Sequence, residues 1–167
     1  MAADVEILEK IGAGGSANDK TAGTIRMKNA DDALVDSNNP MVIPVAGSDF
    51  SFTKWLRLAI ATGGNAPSDN ISNIRAYFDG ANGFGTGVSL WAKSEAAMSA
   101  PTEPATSSGY TDAFGFTSAA PMSLAGGPYS GSGTEMASHF VLLMEVSLTA
   151  TVGALTAETL TFAYDEI

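Results

Sequence analysis

The stretch His139–Thr149 alternates at every second residue. Phe140, Leu142, Met144, Val146 and Leu148 fall on one face, and Val141, Leu143, Glu145, Ser147 and Thr149 on the other. Successive side chains of a strand point to opposite faces, so a period of two predicts a strand with one face in a core. The same period recurs along the chain. Glu158–Tyr164 places Leu160, Phe162 and Tyr164 together, and Val152-Gly153-Ala154 is the expected turn between it and the preceding strand. Phe50–Thr62 reads as one long strand, with Phe50, Phe52, then Trp55, and with Leu56, Leu58 and Ile60 alternating. Ile71–Asp79 and Gly87–Lys93 are two more, joined by Asp79-Gly80-Ala81-Asn82-Gly83, whose Asp-Gly and Asn-Gly pairs supply positive φ. Val5–Ile11, Thr24–Asn29 and Met41–Val45 are shorter strand candidates, the last an edge strand because Pro40 and Pro44 flank it. No amphipathic helix stands out. The alanine-rich Ser94–Ala100 is expected to make a helical turn or two before Pro101 stops it.

Seven or more short strands separated by turn signals predict an all-β fold, an antiparallel β-sandwich of jelly-roll-like or immunoglobulin-like type. The expected core is Leu56, Leu58, Ile60, Ile74, Phe140, Leu142, Met144, Val146, Leu160 and Phe162. Residues 24–167 form a single domain in this reading. Its least regular part, 94–138, is a long ordered loop excursion with one or two short strands, anchored by Tyr110, Phe114, Phe116 and Met122. Residues 1–23 are either an N-terminal arm or the first strand of the sheet, followed by a glycine-rich hinge. As an arm, Val5, Ile7, Leu8 and Ile11 would dock on a neighbour.

Composition narrows the function. Charged residues are 16% of the chain, against roughly 25% in an average domain. Alanine, glycine, serine and threonine make up 77 of the 167 residues. The net charge is −10, and all eight Lys and Arg residues lie in 1–93, so 94–167 is wholly non-basic. A phosphate-binding surface needs clustered Lys and Arg, so no nucleic-acid partner is expected. The longest run of large apolar residues, Phe140–Met144, is far below the roughly 20 residues of a helical membrane span. No membrane partner is expected. The start carries no basic segment followed by an apolar stretch, which predicts no cleaved signal peptide. With no cysteine, disulfides and thiolate chemistry are excluded.

The candidate chemical motifs are weak. Gly12-Ala13-Gly14-Gly15-Ser16-Ala17 matches the dinucleotide fingerprint G-x-G-x-x-A, but the next strand candidate follows too soon for a crossover helix. His139 is the single histidine, at the start of the strongest strand, with no G-x-S-x-G elbow in the chain. Asp31, Asp32 and Asp36 cluster, as do Asp69 with Asn70 and Asp79 with Asn82, but none has EF-hand spacing, and such runs usually bond their own backbone. Glu145 is the strand carboxylate that a glycosidase reading would use. Trp55, Trp91, Tyr77 and Phe84 could line a sugar-binding surface, although aromatics at strand spacing more often fill a core. Asn70-Ile71-Ser72 fits the glycosylation pattern by chance. No catalytic residue, cofactor or metal site is expected.

The run Asn73-Ile74-Arg75-Ala76-Tyr77-Phe78-Asp79-Gly80-Ala81-Asn82-Gly83-Phe84-Gly85-Thr86-Gly87-Val88 resembles small virion structural proteins of tailed bacteriophages. Asn39-Pro40-Met41-Val42-Ile43-Pro44 with Phe50–Leu58, the late Phe140–Leu148 strand and the closing Glu158–Ile167 segment are similar to the same group. The resemblance covers most of 24–167 and rests on strand and turn patterns. It implies a capsid decoration (cement) protein on the outer surface of the head. Such a protein would bind the major capsid protein, would be a homo-oligomer with a trimer favoured, and would have no enzymatic role. A neck, tail or fibre-associated protein is the alternative within the virion, and a carbohydrate-binding module the alternative outside it.

Overall fold

The computed structural model describes residues 2–67 and 70–167. Among the described residues ten strands follow one another with a single short 3-10 turn at Ala113–Gly115. They are β1 (Val5–Ile11), β2 (Ser16–Asp19), β3 (Ser48–Phe50), β4 (Lys54–Ile60), β5 (Ile71–Tyr77), β6 (Val88–Glu95), β7 (Thr111–Asp112), β8 (Met122–Ser123), β9 (Glu135–Ser147) and β10 (Thr161–Glu166). The chain is all-β, and every pairing is antiparallel. A seven-stranded sheet runs β2-β1-β4-β9-β6-β7, with β3 also on β9, and a three-stranded sheet runs β10-β5-β8. The two sheets pack face to face as a sandwich.

Register assigns the faces, because residues directly opposite in a ladder share one. Leu56 lies opposite Phe140, Leu90 opposite Met144, and Val88 opposite Val146. These side chains form the inner face of the large sheet, and they meet Ile71, Ile74, Ala76 and Phe162 of the small one. Phe140 and Phe162 make the central contact across the core, edge to face with centroids 6.0 Å apart. Of the expected core, Leu56, Leu58, Ile60, Ile74, Phe140, Leu142, Met144 and Val146 are buried, and Leu160 and Phe162 are half-buried.

The outer face of the large sheet is covered as well. Val141 and Leu143 are fully buried and Trp55 is 4% exposed, although the alternation suggested a polar second face for β9. The 96–110 segment lies over them. Thr53 and Thr102 are tied by a backbone bond of 2.9 Å, and the Lys93 ammonium sits 4.7 Å from the Tyr110 ring centroid. β9 is therefore a central strand buried on both sides, and Leu148, just past its end, is exposed.

Several sequence expectations are corrected. Of the two readings of the N-terminal segment, residues 5–11 form a strand of the sheet and not a free arm. β1 is an internal strand between β2 and β4, with Ile7 opposite Leu58 and Leu8 opposite Arg57. The glycine-rich hinge is instead the tight turn of a β1–β2 hairpin, closed by Gly15 N–H to Gly12 O at 3.1 Å. Gly12 and Gly15 both take positive φ there, which non-glycine residues resist. The Phe50–Thr62 strand breaks at Ser51–Thr53, where Met144 N–H bonds the Ser51 hydroxyl. Thr24–Asn29 and Met41–Val45 form no strand. Their segment folds over one end of the inner face, and Ile25, Met27, Met41 and Ile43 pack on the core. No helix forms at Ser94–Ala100, because β6 continues through Glu95.

Two connections cross between the sheets. β5 and β6 lie in different sheets, so the turn-rich Asp79–Gly83 that joins them is a crossover. β10 pairs with β5 and not with β9, so Val152-Gly153-Ala154 also carries the chain between sheets. Gly87, at φ +79°, permits this crossing. A Cβ there would lie 2.4 Å from the Ala150 nitrogen.

Candidate functional site

Three places could carry function: a polar cavity, a set of enclosed charges and a group of exposed apolar loops. The cavity arises from an irregularity in β9. Between Met136 and Phe140 the ladder with β4 slips, with Ala137 at φ +60°. Bulges of this kind open a sheet and re-aim side chains. Over the gap lies an open cavity of about 280 Å³ lined by Lys10, Arg57, Glu135, His139, the Gly14–Gly15 turn and Met98. Glu135 contacts the Lys10 ammonium and accepts from Arg57 Nη1 at 3.0 Å. Burial pushes the Glu135 carboxyl up, but Lys10 and then Arg57 outweigh it and hold the acid below its usual range. His139 is 3% exposed, against the edge of Trp55. Burial first, then the Arg57 charge, lower its pKa, so it is neutral at pH 7.

This is not the geometry of general base catalysis. Among the described residues the His139 ring nitrogen meets only the Glu95 carbonyl, at 3.4 Å, and no hydroxyl nucleophile. The cavity holds a closed ion cluster of two cations around one carboxylate. Gly12–Ala17, read as a nucleotide motif, forms part of its rim as a hairpin turn with no helix to receive a phosphate.

The acidic groups weighed for calcium are engaged with protein donors. Asp31 accepts from Gly12 N–H at 2.8 Å. Asp32 and Asp36 each hold the Lys28 ammonium at 2.9 Å. The Asp36 hydrogen bond is the main cause raising the Lys28 pKa, against burial. Asp79 and Asn82 close their own Asx turns on Ala81 and Phe84. Asp69 lies outside the described residues. Among the described residues no three metal-ligating side chains converge.

Glu145, the glycosidase candidate, accepts from Trp91 Nε1 at 2.8 Å and from the Ser48 hydroxyl at 2.6 Å. The four aromatics of the sugar reading do not share a groove. Trp55 is buried beside His139, Trp91 is tied to Glu145, Tyr77 is in the small sheet, and Phe84 packs on Phe114.

Sequence reasoning missed the enclosed charges. Glu9 and Lys54 are each 1% exposed and pair at 3.0 Å, with Lys20 at 3.6 Å on the other carboxylate oxygen. Lys54 also donates to the Asp32 carbonyl at 2.6 Å. The signal was present: Lys54 is in phase with Leu56, Leu58 and Ile60, and Glu9 with Val5, Ile7 and Ile11. The 20–47 loop, with Lys28, Asp32 and Asp36, supplies the cover that lets these charges be buried.

That loop carries the third feature. The large apolar side chains most exposed to water are Leu34, Val35, Val42 and Val45 in it, Leu148, Val152 and Leu155 in the 148–155 connection, and Ile167 at the end. Scattered single apolar residues need no explanation, but groups of them mark contact surfaces. The two loops meet where Ser48 pairs with Ser147. Comparison with family models, with curated proteins and with solved structures gives no match.

Proposed function

We propose that this chain is a capsid decoration protein of a tailed bacteriophage, a sandwich that binds the major capsid protein on the outside of the head. The observation that carries the reading beyond the sequence resemblance is the exposure of Leu34, Val35, Val42 and Val45 on one loop and of Leu148, Val152 and Leu155 on the 148–155 connection. The same residues, repeated over a symmetric lattice, give many weak contacts that sum through avidity. Of the two cavities described, one holds the buried His139 beside the closed Lys10–Glu135–Arg57 ion cluster, and the other is lined by Val5, Ile7, Leu58 and Phe162 with Asp4 and Thr21. The negative charge of the chain, and the absence of Lys and Arg after residue 93, suit an outward position away from packaged DNA. A homotrimer seated at capsid three-folds is the favoured assembly. Quantitative mass spectrometry of purified particles tests the placement. Hundreds of copies per particle are expected. A dozen or fewer would replace the reading with a neck, tail or fibre protein, and none would remove it from the virion.

A further inference from the structure

The two sheets are unequal, and the small one ends on an open strand. β10 forms its edge, with β5 on one side and, among the described residues, no strand on the other. Asn70 and Ile167 exchange both backbone bonds, at 2.7 and 2.9 Å. Alternation along the ladder then turns the N–H and C=O of Glu166 away from β5. Ile74 O accepts from Leu124 on the far side of β5, so Arg75 faces β10, and the backbone groups of Phe162 point outward too. Among the described residues none of these outward backbone groups has a backbone partner.

Beside this edge the inner face of the large sheet is incompletely covered. A cavity of about 290 Å³ runs between β1 and β10. Val5, Ile7 and Leu58 line one side of it, and Phe162 and Tyr164 the other. It lies where a further strand of the small sheet would put its side chains. Its rim is acidic: Asp4 lines it, and Glu166, which accepts from Ala3 N–H, ends β10. Among the described residues no Lys or Arg pairs with either carboxylate. Both charges, after burial, act to raise the pKa of Tyr164 between them.

We infer that the β10 edge and the β1–β10 groove accept an extended segment of a partner protein, which adds as a fourth strand to the small sheet and alternates apolar with Lys or Arg side chains. The free backbone edge supplies the hydrogen bonds, and side chains two apart enter the groove. The acidic rim selects basic residues over acidic ones at the flanking positions. It also argues against a second copy of this chain's exposed 148–158 segment, which holds Glu158 and no Lys or Arg. The inference stands apart from the proposed place in the virion.

The test uses two capped eight-residue peptides with the same valines, alternating with lysine in one and glutamate in the other. Amide NMR titration of the intact protein reads the site. The valine–lysine peptide should shift Val5–Ile7 and Phe162–Glu166 and slow exchange of the Phe162 amide. The glutamate peptide should bind at least tenfold more weakly. Asp4→Lys with Glu166→Lys should invert that preference, and an unchanged spectrum elsewhere shows that the variant folds. Equal binding of both peptides, no binding at millimolar concentration, or shifts confined to the β2 edge would overturn the inference. So would a free protein that sediments as an oligomer with the Phe162 amide already protected.

Discussion

The two sheets obey the same alternation but solve burial differently. The large sheet is covered on both faces over its central strands, by the small sheet and the 20–47 loop within and by the 96–110 segment without, and its inner face stays open beside β1. Its central strands β4 and β9 are almost wholly enclosed. The small sheet is covered on one face, and its edge strand β10 is half-buried up to the exposed Glu166. The comparison separates a stabilising region from an available one. Residues of the large sheet should govern folding, and residues of β10 and the two apolar loops should govern association.

The largest effect should come from the enclosed ion pair. Removing one member of a buried pair leaves an uncompensated charge and costs about 3–5 kcal/mol. Lys54→Met should therefore lower stability in urea by that order, and adding Glu9→Leu should restore most of it. A Lys54→Met variant of near wild-type stability would show that the pair is solvated. Core truncation should follow the same division. Leu143→Ala, on the covered outer face of β9, should cost about 2–5 kcal/mol. Leu160→Ala, at the rim before β10, should cost well under half of that. Equal losses would erase the distinction between the sheets.

The pH response should be smaller and appear in two steps. His139 has a folded pKa depressed below its usual value near 6.5. Its contribution is thus complete above that value and lost as pH falls through the folded pKa. Asp32, Asp36, Glu135 and Asp165 are also depressed, so theirs is lost only at lower pH, below the usual carboxylate range. Thermal melts from pH 8 to 3 should show a shallow first loss that His139→Gln removes and a steeper acid loss that it leaves in place. The smallest stability effect is expected on the loops. Val45→Ser and Val152→Ser should each change stability by less than about 0.5 kcal/mol.

The alternation made the two-sheet class and eight of ten expected core residues legible, because one buried face imposes a period of two whatever the topology. Topology was not legible. β9 and β10 look like a hairpin in sequence, yet they face each other through Phe140 and Phe162, since nothing local distinguishes a turn from a crossover. Burial of Val141 and Leu143 was hidden for a related reason: their cover comes from a distant irregular segment. The candidate chemistry was legible mainly as absence of motif. The Lys10–Glu135–Arg57 cluster joins three strands, and no spacing within one segment announces it.

We propose that the exposed loops are the surface by which this protein would sit on a capsid. Heads stripped of the protein can be mixed with wild-type chain or with Leu34→Ser/Val35→Ser/Val42→Ser/Val45→Ser, and bound copies counted after sedimentation. Wild type should rebind to saturation, and the quadruple variant, with an unchanged melting curve, should lose at least nine-tenths of its occupancy. Full rebinding by the folded variant would contradict the account.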